Sequence, residues 1–112
     1  FAVAENYDGY LRWAYNSWTM DPLADARFRT WPAGDCFVVY PGGRGSVRFS
    51  KLVEGIQDFE KIRILKEQWR KEDDDSKLSH LAGILKSFSS EKLLEEGPAN
   101  ALTAAKSFLD EQ

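Results

Sequence analysis

Apolar side chains between positions 47 and 70 recur at steps of three and four, and this spacing restricts the fold more than any other feature of the chain. The repeating positions are Leu52, Ile56, Phe59, Ile62, Leu65 and Trp69. Because an α-helix has 3.6 residues per turn, these side chains fall on one face. The pattern predicts a helix from Val47 to about Arg70. Gly55 lies inside it, either packed closely against a sheet or simply tolerated.

Two further helical segments are predicted downstream, over residues 77–88 and 90–110. A charged run precedes the first segment, which Ser76 or Asp75 could cap; we interpret that run as a solvated connector rather than an acidic metal site. Ser90 stands at the N-cap position of the second segment, and Gly97-Pro98 interrupts it. The only histidine, His80, has no histidine partner for a metal site and is interpreted as a helix-surface residue.

The first 46 residues have a different chemistry. All four tyrosines and three of the four tryptophans precede residue 41, whereas every lysine follows residue 50. Two short aromatic or β-branched runs, residues 10–15 and 36–40, lie between turn residues, and we predict both as strands. The second run is apolar almost throughout, as in a parallel sheet covered on both faces. The predicted fold class is α/β, two strands followed by several helices.

Chain length and composition favour one domain and exclude several functions. A length of 112 residues fits a single unit, with a strand and loop part at 1–46 and a helical part at 47–112. The net charge of -3 offers no general attraction to nucleic acid. No apolar run approaches the roughly 18 residues that span a bilayer. Cys36 is the only cysteine, so no internal disulfide or thiolate metal site is expected, and we predict no cofactor.

Three large aromatic residues and one asparagine lie close together in residues 13–18, where the first predicted strand ends. In α/β folds ligands bind where strands become loops, and the end of the second strand would lie at the same edge. Sugar rings place their C–H faces against aromatic planes, while their hydroxyls need short polar partners. The alternative is that the tryptophans fill a core under a long loop. The predicted substrate-binding residues are Trp13, Tyr15, Asn16, Trp18 and Tyr40.

Three other patterns suggest chemistry but have simpler explanations. Glu54 and Asp58 share a helix face, yet each has a lysine three positions away, Lys51 and Lys61, so surface pairing is the favoured interpretation. The glycine-rich residues 41–46 lack the lysine of a phosphate-binding loop and indicate a turn into the helix. Arg48 could bind an anion, pair with a carboxylate or cap loop carbonyls.

Several segments taken in order resemble the C-terminal end of glycoside hydrolase family 123-like proteins. That group includes β-N-acetylgalactosaminidases and many bacterial proteins known only as a domain of unknown function. The resemblance covers about residues 8–66. Its segments are residues 8–18 (DGYLRWAYNSW), Asp21-Pro22, Gly34-Asp35, Tyr40-Pro41-Gly42, Arg48 and residues 54–60 (EGIQDFE).

The resemblance implies that the two strands close a (β/α)8-type barrel and that Trp13, Tyr15, Asn16, Trp18 and Tyr40 line the substrate site. It implies a retaining, substrate-assisted hydrolase, in which the sugar's 2-acetamido oxygen attacks the anomeric carbon and an Asp-Glu pair assists. That pair lies upstream in the family. The only Asp-Glu step here, Asp110-Glu111, is in the tail and cannot take the role. A secreted or periplasmic parent is also implied.

Three interpretations stay open at this stage. The chain is a fragment of a hydrolase, inactive alone and able to self-associate through exposed strand edges. Alternatively it is a non-catalytic carbohydrate-binding module, which needs the aromatic residues but no catalytic acid. Finally, it is a structural interaction domain, in which case the tryptophans should be buried.

Overall fold

The computed structural model describes residues 1–27, 31–32 and 35–112, so Gly34 of the Gly34-Asp35 segment lies outside the described residues. Two compact units make up the chain. The helical unit comprises Phe1–Tyr10 and Gln57–Gln112, and the loop unit comprises Leu11–Ile56. In order, the helices are a 3-10 helix at Pro41–Gly43, α1 at Val47–Lys71, α2 at Asp75–Leu85, a 3-10 helix at Lys86–Phe88, α3 at Ser90–Glu96 and α4 at Ala99–Asp110.

The predicted α/β fold class is wrong for the described residues, which form helices and loops without a strand or a sheet. Of the two runs predicted as strands of a (β/α)8-type barrel, residues 10–15 form no bridge, and residues 36–40 form two isolated bridges, Phe37 with Asn16 and Tyr40 with Arg44, both antiparallel. A run of β-branched and aromatic residues favours a strand only when neighbouring strands supply packing, and two extended segments alone are marginal. Here the second run forms a single bridge to Asn16, the residue that follows the first run.

The long predicted helix is confirmed as α1. Ser46 precedes it, and the Ser46 hydroxyl accepts a hydrogen bond from the Phe49 amide at 3.0 Å, which satisfies one of the free donors of the first turn. Gly55 has open space where a Cβ would stand, so the interpretation that it packs closely against a sheet is wrong. The helix is therefore held by its apolar face, where Ile62 and Trp69 are buried.

The shorter helices begin one or two residues earlier than their predicted caps imply. The Asp74 carboxylate, not Asp75 or Ser76, caps α2 by accepting a hydrogen bond from the Lys77 amide at 3.0 Å. Ser89 rather than Ser90 caps α3. The predicted interruption at Gly97-Pro98 is confirmed, because Gly97 ends α3 with a φ of 73°, a conformation that suits glycine.

One apolar cluster holds the helical unit together. Trp69 is only 1% exposed, and its ring meets the edge of Phe108 with centroids 6.0 Å apart. His80 is exposed, as predicted, and its ring lies 4.8 Å from that of Phe108. The cluster thus joins α1, α2 and α4 around one indole ring. Its buried members are Ile62, Trp69, Leu81, Phe108 and Leu109.

Polar contacts fasten α4 to α1 around this cluster. Lys106 forms an ion pair with Asp58 at 2.7 Å, and Lys61 donates a hydrogen bond to the Leu109 carbonyl. The predicted pair of Lys61 with Asp58 is therefore wrong, whereas the pair of Lys51 with Glu54 is confirmed at 2.6 Å. No helix in the described part of the chain has the length and apolarity needed to cross a membrane.

Candidate functional site

The predicted sugar-binding aromatics are exposed in the loop unit. The exposed fractions are 57% for Trp13, 52% for Tyr15 and 40% for Trp18, and Asn16 is exposed as well. The interpretation that the tryptophans fill a core fails for Trp13 and Trp18, since a core residue is almost fully covered. Their rings therefore have surface available to a ligand.

Backbone hydrogen bonds align this segment with the second aromatic run. The Val38 amide donates to the Tyr15 carbonyl at 2.9 Å, and the Ser17 amide donates to the Cys36 carbonyl at 3.0 Å. The two bonds flank Asn16, which forms the bridge with Phe37. Asn16 is thus held in an extended backbone on the buried run from Cys36 to Val38, although the pairing is antiparallel rather than the predicted parallel one.

Trp18 and Tyr40 are fixed in different ways. The Trp18 indole N–H donates a hydrogen bond to the Val39 carbonyl at 2.8 Å, which sets the plane of the exposed ring. Tyr40 is half-buried and meets the Phe37 ring edge-on, with centroids 5.2 Å apart. The structure therefore brings residues 15–18 beside residues 36–39, while Tyr40 contacts the buried Phe37.

Trp13 belongs to a polar cluster with Arg12 and Asp35. Its indole N–H donates to a carboxylate oxygen of Asp35 at 3.3 Å, and Arg12 donates to both the carboxylate and the carbonyl of Asp35. These hydrogen bonds, that of Arg12 foremost, lower the pKa of Asp35. The Trp13 ring also lies against Trp31, with centroids 5.4 Å apart and the planes tilted by 44°.

Sequence reasoning did not assign roles to Arg12, Trp31 or Asp35. Arg12 and Asp35 are 23 positions apart, and a pair separated by a loop leaves no periodic trace in a sequence. The one available signal was the resemblance, whose quoted segments contain both residues. We now include these three side chains in the candidate site, because they orient Trp13 and extend its aromatic surface.

Arg48 supports the same region from α1. Its Nε donates a hydrogen bond to the Phe37 carbonyl at 3.0 Å, and its guanidinium carbon lies 5.0 Å from the centroid of the Phe37 ring and 5.9 Å from that of Tyr40. Of the roles considered for Arg48, the structure shows the capping of a loop carbonyl. Through these cation–π contacts Arg48 stabilises the positions of the Phe37 and Tyr40 rings.

Two carboxyl groups of this unit, those of Asp25 and Asp35, suit hydrogen bonding better than proton donation. The bond from Arg27 lowers the pKa of Asp25 to about 2, and the pKa of Asp35 is lowered as well. A general acid must still hold its proton near the working pH, so neither group fits that role. Among the described residues no three His, Cys, Asp or Glu side chains come together as a metal site would need.

The lowered pKa of Asp35 predicts a definite pH dependence. Such a carboxyl stabilises the fold above its unfolded value of about 3.9, and the contribution is lost as the pH falls through the folded value. We therefore expect Asp35→Asn to lower the free energy of unfolding by an amount that stays constant between pH 7 and roughly pH 4. The difference from the native chain should shrink at lower pH.

Urea denaturation at several pH values, followed by tryptophan fluorescence, measures this difference. Asp110→Asn is the matched control, since Asp110 is exposed and lies in α4. A destabilisation by Asp35→Asn that is equally large at the lowest pH would contradict the role given to the Arg12 and Trp13 hydrogen bonds.

The family model for the catalytic domain of glycoside hydrolase 123 matches residues 1–65. That range covers more than half of the chain, including the whole loop unit. A search of curated proteins finds no match. On the strength of the family match, the chain belongs to the glycoside hydrolase 123 catalytic-domain family.

Proposed function

We propose that the loop unit lines the glycan site of a glycoside hydrolase catalytic domain and binds an N-acetylhexosamine unit. One observation carries this proposal: exposed aromatic rings, held by hydrogen bonds to neighbouring loops, lie within the residues that match the catalytic-domain family. The residues assigned to the substrate are Trp13, Tyr15, Asn16, Trp18 and Tyr40.

The chemistry of four of these residues, Trp13, Tyr15, Asn16 and Trp18, suits the role. The Trp13 and Trp18 rings offer planar apolar faces to the C–H face of a pyranose, and their N–H groups are already satisfied within the protein. Asn16 can both donate and accept, which matches a sugar hydroxyl or an acetamido group. Tyr15 packs against Phe49 with ring centroids 6.5 Å apart, which leaves its hydroxyl edge for polar contact.

The chain is proposed to supply substrate contacts rather than the catalytic pair. A retaining, substrate-assisted reaction needs one carboxylate to orient the acetamido group and one acid to protonate the leaving oxygen. Asp25 and Asp35 are held ionised and cannot serve as that acid. Asp110 and Glu111 lie at the end of α4, outside the matched residues. We therefore propose that this chain alone does not hydrolyse glycosides.

Binding is tested directly by titrating the chain with N-acetylgalactosamine and following tryptophan fluorescence. A nucleic-acid base stacked on an aromatic side chain loses about 1–3 kcal/mol of binding free energy when that side chain is replaced by alanine. A similar loss for a sugar ring means roughly 5- to 150-fold weaker binding. We expect this for Trp13→Ala and for Trp18→Ala. Leu11→Ala is the matched control, because Leu11 is exposed in the same unit.

Two results would separate the possible roles. Saturable binding that both tryptophan variants weaken, without release of chromophore from a β-N-acetylgalactosaminide, is the expected outcome for the chain alone. Adding N-terminal sequence with an adjacent Asp-Glu pair should then restore release. If such a protein binds sugar but never hydrolyses it, the non-catalytic carbohydrate-binding role replaces the proposal. If N-acetylgalactosamine does not bind at all, the proposal is wrong.

A further inference from the structure

A second concave site lies in the helical unit, separate from the exposed tryptophans. Its volume is about 280 Å³, and it is formed by residues 3–8 together with one face of α1. Ligand pockets begin at roughly 300 Å³, so the cavity suits a ligand of about one ring. Val3, Phe59 and Ile62 give it an apolar floor.

The N-terminal segment is folded back on itself to form one wall. The Tyr7 amide donates to the Ala2 carbonyl at 2.8 Å, and the Glu5 amide donates to the Phe1 carbonyl at 3.0 Å. Asn6 has a φ of 56°, a left-handed conformation that asparagine tolerates better than most residues. This turn places Tyr7, which is about half exposed, in the wall of the cavity.

Three of the lining residues on α1 are cationic. Arg63, Lys66 and Arg70 line the cavity from successive turns of α1. Arg63 is already paired, with Glu60 at 2.8 Å and Glu67 at 3.9 Å. Within the described parts of the chain, Lys66 and Arg70 form no ion pair, and Lys66 is half-buried. Asp8 is the one carboxylate among the lining residues.

Lys66 and Arg70 carry like charges one helical turn apart on α1. Two like charges four positions apart on a helix repel each other, and partial burial of Lys66 removes water that would screen it. An anion between Lys66 and Arg70 would offset both effects and would accept charge-assisted hydrogen bonds. Lys66 and Arg70 also lie outside residues 1–65, so they are not part of the matched family region.

We propose that this cavity binds a monosaccharide that carries a carboxylate or sulfate group. The acidic group lies between Lys66 and Arg70, and the ring rests against Tyr7 and the apolar floor. The anion follows from the cationic wall. The choice of a sugar as its carrier rests on the proposed function of the loop unit, although the two sites share no residue.

The test is a titration followed by backbone amide chemical shifts, with four probes: glucuronic acid, galactose 6-sulfate, neutral galactose and inorganic sulfate. We expect the first two to shift amides of residues 3–8 and 59–70 with saturation. The variant Lys66→Gln/Arg70→Gln should weaken their binding about tenfold or more, because each lost bond joins charged partners. Lys86→Gln/Lys92→Gln removes the same charge from exposed positions and should leave it unchanged.

The outcomes divide cleanly. Saturation by either acidic sugar, weakened only by the variant of the cavity, supports the proposal, and the two acidic probes show whether carboxylate or sulfate is preferred. Equal binding of inorganic sulfate, equal binding of galactose, or no saturation by the acidic sugars would each overturn it. Because N-acetylgalactosamine is neutral and its test follows Trp13 and Trp18, failure at either site is distinguishable from failure at the other.

Discussion

Replacing Trp69 with alanine is expected to lower the free energy of unfolding by about 3–5 kcal/mol. The indole is 1% exposed and lies at the centre of the cluster of α1, α2 and α4. Alanine would leave a cavity against Phe108, and the Lys77 ammonium, 5.7 Å from the centroid of the Trp69 ring, would lose its cation–π partner. Every helix of this cluster depends on the same side chain.

Urea denaturation followed by far-ultraviolet circular dichroism measures the loss, since most of the helix lies in this unit. Leu94→Ala is the matched control. This substitution also removes a large apolar side chain, but Leu94 is almost fully exposed on α3. Its expected change lies within about 0.5 kcal/mol. Equal destabilisation by the two variants would show that Trp69 is not the centre of the core.

Replacing Phe37 with alanine is expected to cost a similar amount, about 3–5 kcal/mol, within the loop unit. Phe37 is fully buried, and its ring contacts both Tyr40 and the Arg48 guanidinium. Its backbone also forms the bridge to Asn16. The substitution should therefore loosen the residues assigned to the sugar as well as the local fold.

Three of the four tryptophans report on this unit, because only Trp69 lies outside it. Their fluorescence should show that Phe37→Ala unfolds at a lower urea concentration than the native chain. Binding of N-acetylgalactosamine should be weakened as well. Leu11→Ala, an exposed position in the same unit, provides the comparison. If Phe37→Ala unfolds at the same urea concentration as the native chain, the aromatic loops do not depend on the buried ring.

The helices were readable from the sequence because their cause is local. Apolar residues at steps of three and four predict α1 from neighbouring positions alone, and Gly97-Pro98 stops a helix by its own backbone chemistry. The caps were misplaced by one or two residues, at Asp74 and Ser89, because several adjacent polar residues could each serve.

The strands failed for the opposite reason. Residues 10–15 and 36–40 have the composition of strands, but a sheet depends on partners that composition does not supply. A few backbone hydrogen bonds, such as that from Val38 to Tyr15, and side-chain bonds, such as that from Trp18 to Val39, hold these segments together instead. The candidate site shows the same division. Its aromatic residues were proposed from their side-chain chemistry, whereas a partner such as Asp35, which binds the Trp13 indole, depends on how the intervening loop folds.

The attachment of α4 to α1 also has a consequence for the nascent chain. Phe108, which covers Trp69, follows it by 39 residues. At a synthesis rate of about 5–20 residues per second, the ribosome needs roughly 2–8 s to add that stretch. During this interval the indole lacks Phe108 as a neighbour, so the packing around α1 cannot be completed until α4 has been synthesised.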